Sequence, residues 1–387
     1  MNQRTLPPIA VPAQRQPAPE PDPAAPAATP DAAQLTFRQT VPRQLVHRAA
    51  VAEVFVVDAL QAGQDHFLIG AQWPRDHALY HPDEAGSTDP LLFAETIRQS
   101  MVYLAHQFQG VPLEHRFIGC DCQFDIHDAE PLRVLGQPLT PVLEARWTWL
   151  DSRPPQRYDM RLDVQLTVGG KACGVGSLHL FTVDQRRYDL IRRRGRDGRG
   201  GAKGGSVAAG AGVSGESGPR KDVTFIRVPA AAAGRLRTKD SLLERDEESD
   251  RWRMRVDVNH AILFDHPSDH IPLMVALEGF RQLGHVLTQR TSGGEPGAAL
   301  SAVSASVPAA APAAVPAAGM SLRSVQLECL AFGEVDEPVD LVVDENRPGA
   351  APDSAHLLRL SALQQGRPIA KTTMLWRPDA QFDPEYR

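Results

Sequence analysis

Two segments of the sequence place a glutamate, an arginine and a glutamine at helical spacing inside apolar surroundings. Glu95, Arg98 and Gln99 form the first E-x-x-R-Q pattern, and the pattern recurs 183 residues further on. The second set comprises Glu278, Arg281 and Gln282. Residues three and four apart lie on one face of an α-helix. A desolvated carboxylate can act as a general acid or base, and a neighbouring arginine can hold an anion or polarise a carbonyl.

An ordinary helical ion pair is the simpler explanation for each motif, and it stabilises a helix by only a few tenths of a kcal/mol. Both segments are apolar on nearly every side, which predicts buried helices from Pro90 to about Gln107 and from Pro272 to about Gln289. Burying charges costs several kcal/mol per ion unless something compensates. We therefore interpret the motifs as parts of a polar pocket, in which burial raises the pKa of the carboxylates.

The motifs belong to a longer internal duplication. His77 recurs as His260 at the same offset of 183 residues, and each is followed by alanine. Downstream, Cys122 recurs as Cys329 at an offset of 207 residues, and an Ala/Pro-rich insertion at about 291–319 accounts for the change. The two histidines precede the helices at equal distance. Each is a candidate for orienting a glutamate or binding substrate, or is a packing residue.

Both copies follow the same order of secondary structure. Alternating apolar residues predict strands at 67–69, 160–166, 176–181, 252–258, 358–362 and 369–376. Each copy therefore has one long apolar helix and an antiparallel sheet. This combination, present twice, predicts an α+β protein with a tandem (double) hotdog fold, each sheet wrapped around its own helix. The polar pocket would lie where the two halves meet.

Composition divides the chain into two domains and three low-complexity segments. Residues 1–35 form a Pro/Ala-rich tail that we expect to be disordered. The N-terminal hotdog is predicted at 36–191 and the C-terminal hotdog at 222–387, with the insertion at 291–319. The segment between them, 192–221, is rich in glycine and arginine, and we interpret its arginines as part of a solvated linker.

Bulk charge and cysteine content exclude several classes of protein. The 41 basic and 47 acidic residues give a formal charge of −6, which argues against a general nucleic-acid binder. Four cysteines are too few for a disulfide scaffold and fit a reducing compartment. The sequence also lacks an apolar run of the roughly 18 residues that span a bilayer. We therefore expect a cytoplasmic protein without a membrane segment.

Motifs for other chemistries are missing from the sequence. It contains no G-x-S-x-G elbow, no H-E-x-x-H and no phosphate-binding loop. The pair Cys120 and Cys122 has no second pair at zinc-site spacing, so buried strand cysteines are the preferred interpretation. We predict neither a metal nor a redox cofactor.

Four segments resemble the A-factor biosynthesis hotdog family of actinobacteria. They are VHRAAVAEVFVVDA (46–59), WPRDHALYHP (73–82), DPLLFAETIRQ (89–99) and NHAILFDHPSDHIPLMVALEGFRQ (259–282). The resemblance covers about 38–185 and 223–380. It implies transfer of a β-ketoacyl group from an acyl carrier protein thioester to the hydroxyl of dihydroxyacetone phosphate, in the biosynthesis of γ-butyrolactone signalling molecules.

The resemblance also assigns roles to residues. The family's key polar positions match Glu95, Glu278 and Arg281, which are the predicted catalytic residues. The predicted substrate-binding residues are Arg98, Gln99, Gln282, His77 and His260.

Two alternatives remain at this level. One is a hotdog dehydratase or thioesterase acting on acyl thioesters of a carrier protein or of coenzyme A, and the other is a non-catalytic acyl-binding protein. We expect a monomer or a homodimer.

Overall fold

The computed structural model describes residues 31–83, 85–200, 224–246, 248–292, 319–349 and 354–378. Most of the predicted tail, linker and insertion therefore lies outside the described residues, and the division into domains stays a prediction. Three α-helices are described: α1 (Leu91–Gln107), α2 (Gln185–Gly200) and α3 (Leu273–Ser292). None of the described helices is long and apolar enough to cross a membrane.

The described strands are β1 (Val56–Gln61), β2 (His66–Ala71), β3 (Arg116–Ile126), β4 (Val142–Trp149), β5 (Arg157–Val168), β6 (Lys171–Val183), β7 (Phe225–Arg227), β8 (Leu243–Asp246), β9 (Trp252–Met254), β10 (Met320–Cys329), β11 (Val339–Arg347), β12 (His356–Gln364) and β13 (Arg367–Pro378). They form one antiparallel sheet in the order β1-β2-β4-β5-β6-β3-β10-β13-β12-β11-β9-β8-β7. The first six strands and the six from β10 to β8 have the same arrangement in mirrored order.

The two halves of the sheet join through β3 and β10. Asp121 pairs with Glu328, and Gln123 pairs with Gln326. Glu328 follows Asp121 by the same 207 residues that separate Cys122 from Cys329, so this pair lies on the pseudo-twofold axis of the duplication. The structure thus confirms the predicted tandem hotdog fold.

Each long helix lies close against the sheet of its own half. In the first half a Cβ on Gly176 of β6 would lie 2.5 Å from Ile97 of α1, and in the second half a Cβ on Gly284 of α3 would lie 2.7 Å from Trp376 of β13. The absence of a side chain on these glycines lets the helix and the sheet approach closely. The helix predictions are confirmed, because α1 and α3 begin and end within a few residues of the expected positions.

One strand is shorter than the sequence pattern indicates. The alternation at 252–258 predicts a strand over its whole length, but β9 ends at Met254. The chain then turns at Asp257, whose side chain accepts a hydrogen bond from the amide of Asn259 and whose carbonyl accepts one from His260. The turn brings His260 back towards the helix. The other predicted strands lie within the observed ones.

The interpretation of Arg192 as a solvated linker residue is wrong. Arg192 lies in α2, is 6% exposed, and donates to Glu334 at 3.0 and 2.7 Å and to Asp269 at 3.1 Å. Tyr188, one turn earlier, donates to Asp269 at 2.6 Å. Both acceptors belong to the second half. Through these contacts α2 acts as a clamp that holds the C-terminal half. The arginine-rich composition of the segment gives no sign of this tertiary contact.

We expect Arg192→Ala to lower the free energy of unfolding by about 2 kcal/mol, because it leaves Glu334 buried without its main partner. Arg193→Ala, on the exposed side of the same helix, should change it by less than about 0.5 kcal/mol. Chemical denaturation monitored by tryptophan fluorescence measures both. Equal stability of the two variants would show that the clamp contributes little.

Candidate active site

The first helix carries an ionic cluster around Glu95, whose carboxylate is fully buried. Arg48 approaches its Oε1 with Nη2 at 2.5 Å and with Nε at 3.0 Å. Arg98 donates through Nε to Oε2 at 2.9 Å and through Nη2 to Oε1 at 2.8 Å. Gln99 adds a bond from Nε2 to Oε1 at 2.7 Å. One carboxylate is thus held by two guanidinium groups and an amide.

Side chains around the first cluster hold these residues in place. The Gln99 side chain accepts from the amide of Phe55 at 2.8 Å and donates to the carbonyl of Glu53 at 2.7 Å. The Glu53 carboxylate lies 3.3 Å from Nε2 of His77, whose Nδ1 accepts from two following backbone amides. Every polar group of Gln99 and His77 is therefore used within the protein. This favours a positioning role for both over the predicted contact with substrate.

The second helix carries a corresponding cluster around Glu278. Arg235 donates to both of its oxygens, from Nε at 2.7 Å and from Nη2 at 2.5 Å. The remaining Nη1 of Arg235 donates to Asp89 at 2.6 Å. Gln282 donates to Oε1 of Glu278 at 2.5 Å and also occupies the backbone groups of Leu242 and Asp240. Glu278 and Arg235 are fully buried.

The structure extends the duplication to residues that the sequence analysis missed. Arg235 follows Arg48 by 187 residues, and Asp240 follows Glu53 by the same number. Asp240 bonds His260 at 3.1 Å, as Glu53 bonds His77. The offset differs by four from that of the histidines, so these pairs escape a search at a single fixed period. A search that allows a gap of four residues before the histidine of the second copy would have found them.

The two clusters meet where the halves of the chain contact each other. Arg48 of the first half donates to the carbonyl of Ile262 in the second half at 3.3 Å. Arg235 of the second half reaches Asp89, which lies just before α1 in the first half. Asp265 of the second half accepts two backbone amides that follow Arg48. The glutamates, arginines and glutamines of both helix motifs are thus gathered at the predicted junction.

The clusters differ in how their second arginine is paired. Arg98 donates twice to Glu95, whereas Arg281, its equivalent, donates to the carbonyls of Ala233 and Gly234 at 2.9 and 3.0 Å. The nearest carboxylate to Arg281 is that of Asp89, at 4.0 Å from Nη2. Burial and the neighbouring charge of Arg235 lower the pKa of Arg281. Its charge is the less compensated of the two, which suits an anion-binding group.

The predicted rise in pKa is wrong for Glu95. Burial raises its pKa, but the charges of Arg48 and Arg98 outweigh burial and lower the pKa to about 2. Glu95 is therefore a carboxylate at neutral pH. Because it is held by two guanidinium groups, its main physical effect is to fix their positions at the junction.

Comparison with known proteins identifies the family. The sequence profile of the A-factor biosynthesis hotdog domain matches residues 29–184 and 218–379, which is most of the chain and includes both helix clusters. The chain belongs to this family.

Relatives within the A-factor biosynthesis family are found among characterised streptomycete proteins. A protein of Streptomyces virginiae named 2-oxo-3-(phosphooxy)propyl 3-oxoalkanoate synthase is 33% identical over 253 residues, covering 64% of this chain and 77% of its own length. A protein of the same name from Streptomyces coelicolor is 32% identical over 248 residues, covering 64% and 72%.

A solved acyl-ACP thioesterase of Bacteroides thetaiotaomicron superposes on the chain only loosely. The TM-score is 0.39 at 9% identity, covering 80% of this chain and 98% of the thioesterase. A similarity at this level carries no argument about function.

The low pKa of Glu95 predicts how stability depends on pH. Its carboxylate stabilises the folded chain above its ordinary pKa of 4.5, and this contribution of about 3 kcal/mol is lost as the pH falls towards 2. Glu95→Gln lacks the contribution at every pH. We expect its unfolding free energy to fall less steeply than that of the wild type between pH 4.5 and 2. Denaturant unfolding across that range measures both slopes, and parallel slopes would contradict the assignment.

Proposed function

We propose that this chain transfers a 3-oxoacyl group from an acyl carrier protein thioester to the hydroxyl of dihydroxyacetone phosphate. The relatives named above carry the name of the ester that this reaction forms. The single structural observation that supports it best is the pair of buried Glu–Arg clusters at the junction, one with a cation left to bind an anion. Acyl transfer to a phosphorylated alcohol requires such a group.

Arg281 binds the phosphate of the acceptor in this mechanism. Its side chain is 12% exposed and donates its hydrogen bonds to backbone carbonyls, with the carboxylate of Asp89 no closer than 4.0 Å. Glu278 is already occupied by Arg235. A phosphate dianion offers stronger, bidentate acceptors than carbonyl groups, so Arg281 can exchange one set for the other.

Glu278 takes the proton from the attacking hydroxyl. It shares a single guanidinium, that of Arg235, with Asp89, whereas Glu95 has two guanidinium groups of its own. Glu278 is therefore the glutamate that we assign as the general base. It also lies one turn before Arg281 on α3, so one acceptor molecule can meet both residues.

The bond changes then balance without a cofactor. The acceptor oxygen bonds to the thioester carbon, the carbon–sulfur bond breaks, and the carrier thiol leaves with the proton that the hydroxyl has lost. Arg48 and Arg235, both buried at the junction, stabilise the negative charge that develops on the carbonyl oxygen. A dehydratase would need an available histidine, and His77 and His260 have their ring nitrogens bonded within the protein.

The full chain is to be incubated with a 3-oxoacyl carrier protein, with and without dihydroxyacetone phosphate. We expect mass spectrometry to detect a phosphorylated acyl ester only when the acceptor is present. Arg281→Ala should raise the KM for dihydroxyacetone phosphate and lower kcat/KM by about 100-fold, because a charge-assisted bidentate contact is lost. Glu278→Gln should lower kcat by about 100-fold or more, because the general base is lost.

Arg359→Ala is the matched control, since Arg359 pairs with Glu345 on the exposed side of the sheet, far along the chain from either cluster. It should leave both constants unchanged. Release of free 3-oxo acid without any need for the acceptor would identify a thioesterase. Binding of the thioester without turnover at any chain length would identify an acyl-binding protein.

A further inference from the structure

The outer side of α2 is a basic surface with an apolar centre. Arg186 and Arg193 are exposed and lie on the side of the helix opposite the buried Tyr188 and Arg192. Leu190 lies between them and is 41% exposed. Within the described part of the chain, neither Arg186 nor Arg193 has a carboxylate partner. The clamp at Arg192 holds this surface against the body of the protein.

The start of α2 is connected to the first cluster by a short series of contacts. Gln185, the first residue of α2, accepts from Arg116 at 2.7 Å. Phe117, which follows Arg116 in the chain, packs edge-on against His47 with ring centroids 4.9 Å apart. The carbonyl that precedes His47 accepts from Arg98, the half-buried arginine that pairs with Glu95. The start of α2 is thus joined to the first cluster through Arg116, Phe117 and His47.

We propose that this outer side of α2 docks the acyl carrier protein that delivers the thioester. Acyl carrier proteins are small acidic proteins, and complementary charge steers such a partner to its site. The acyl group on its long prosthetic arm would pass Arg116 and His47 to reach the clusters. The net charge of −6 makes the chain as a whole a poor surface for nucleic acid, so the local basic surface fits an acidic protein better.

The test compares two acyl donors and rests on the proposed transfer reaction. We expect the charge-reversed pair Arg186→Glu and Arg193→Glu to lower kcat/KM for the 3-oxoacyl carrier protein by about tenfold or more at low salt. The same pair should leave kcat/KM for a 3-oxoacyl pantetheine thioester unchanged, because a small donor needs no docking surface. The control pair Arg38→Glu and Arg153→Glu makes the same change of charge elsewhere on the exposed surface.

Unchanged activity with both donors would overturn the docking surface while leaving the transfer reaction in place. An equal loss of kcat/KM with both donors would also overturn the docking surface. The substitutions would then be damaging the folded protein and not the contact with the carrier protein. An equal loss of kcat/KM in the control pair would show that the effect comes from the change in net charge and not from the position of the arginines. If the wild type transferred neither donor, the proposed function itself would fail.

A second observation concerns Tyr80 and is independent of α2. Tyr80 is 2% exposed, and its hydroxyl forms no hydrogen bond within the described residues. His77 stacks on the Tyr80 ring with centroids 5.1 Å apart, and its Nδ1 accepts from the Tyr80 amide at 3.0 Å. The ring is therefore firmly placed.

Tyr80 lies between the two ionic clusters. Its surroundings include the charges of Glu95, Arg48, Glu278 and Arg235, and burial with these carboxylates holds the pKa of its phenol well above the usual range. The guanidinium carbon of Arg235 is 6.0 Å from the centre of the ring.

The duplication gives Tyr80 no counterpart in the second half. The equivalent position is Leu263, whose amide bonds His260 as that of Tyr80 bonds His77. The hydroxyl is thus not required by the fold.

We infer that the Tyr80 hydroxyl donates a hydrogen bond to the carbonyl oxygen of the bound thioester. This inference also rests on the proposed function. With the phosphate at Arg281 and the acyl donor approaching past Arg98, the reacting carbon must lie between the clusters, where Tyr80 is. A neutral hydroxyl donor placed there stabilises the oxyanion of the tetrahedral intermediate.

Tyr80→Phe removes one oxygen atom and no packing. We expect kcat to fall about 100-fold, as for other oxyanion donors, with the KM for dihydroxyacetone phosphate unchanged. The temperature of thermal unfolding should be unchanged, because the ring and its packing are kept. Tyr158→Phe, a buried tyrosine in the same half, is the matched control and should keep the wild-type kcat.

Wild-type kcat in Tyr80→Phe, measured where the wild type is active, would overturn this role and leave the transfer reaction standing. A fall in kcat together with a lower unfolding temperature would also overturn it, because Tyr80 would then be a structural residue. Inactive wild-type protein would instead refute the proposed function.

Discussion

The burial of Glu95 and Glu278 inside apolar helices is the constraint on which the junction depends. A carboxylate without exposure requires a cation with matching geometry. Glu95 obtains one from Arg48, in the segment before β1, and Glu278 obtains one from Arg235, in the segment between β7 and β8. Arg48 and Arg235 therefore tie these segments to the helices. Each arginine also bonds the opposite half, so the same ion pairs that satisfy the carboxylates hold the halves together.

Duplication gave the chain two similar clusters, and small differences give them different chemistry. Asp89 has no acidic equivalent in the second half, where Pro272 occupies the corresponding position. The Asp89 carboxylate accepts a hydrogen bond from Arg235, and Arg281 donates to backbone carbonyls. At another pair of equivalent positions, the first half has Tyr80 and the second half has Leu263, which carries no hydroxyl. The second half thus offers Arg281, the less compensated of the two equivalent arginines, and the first half offers the hydroxyl of Tyr80.

The glutamines and histidines form a supporting layer behind the ion pairs. Gln99 and Gln282 join their glutamates to backbone groups, and the histidines join a second carboxylate to a backbone turn. Side chains held by several bonds lose little further freedom when substrate binds, which keeps the guanidinium groups in place. The polar groups of these glutamines and histidines are therefore satisfied within the protein, which favours a supporting role over contact with substrate.

The sequence by itself determined the duplication, the two buried helices and the tandem hotdog fold, because each leaves a local record in periodicity or repeated motifs. It also identified both E-x-x-R-Q sets. Only the tertiary structure decided the pairing of charges. Arg48 lies 47 residues from Glu95, and Asp89 lies 146 residues from Arg235, so neither contact has a local signature. The pKa of Glu95 was misjudged for that reason, since burial is visible in a helical pattern but the compensating cation is not.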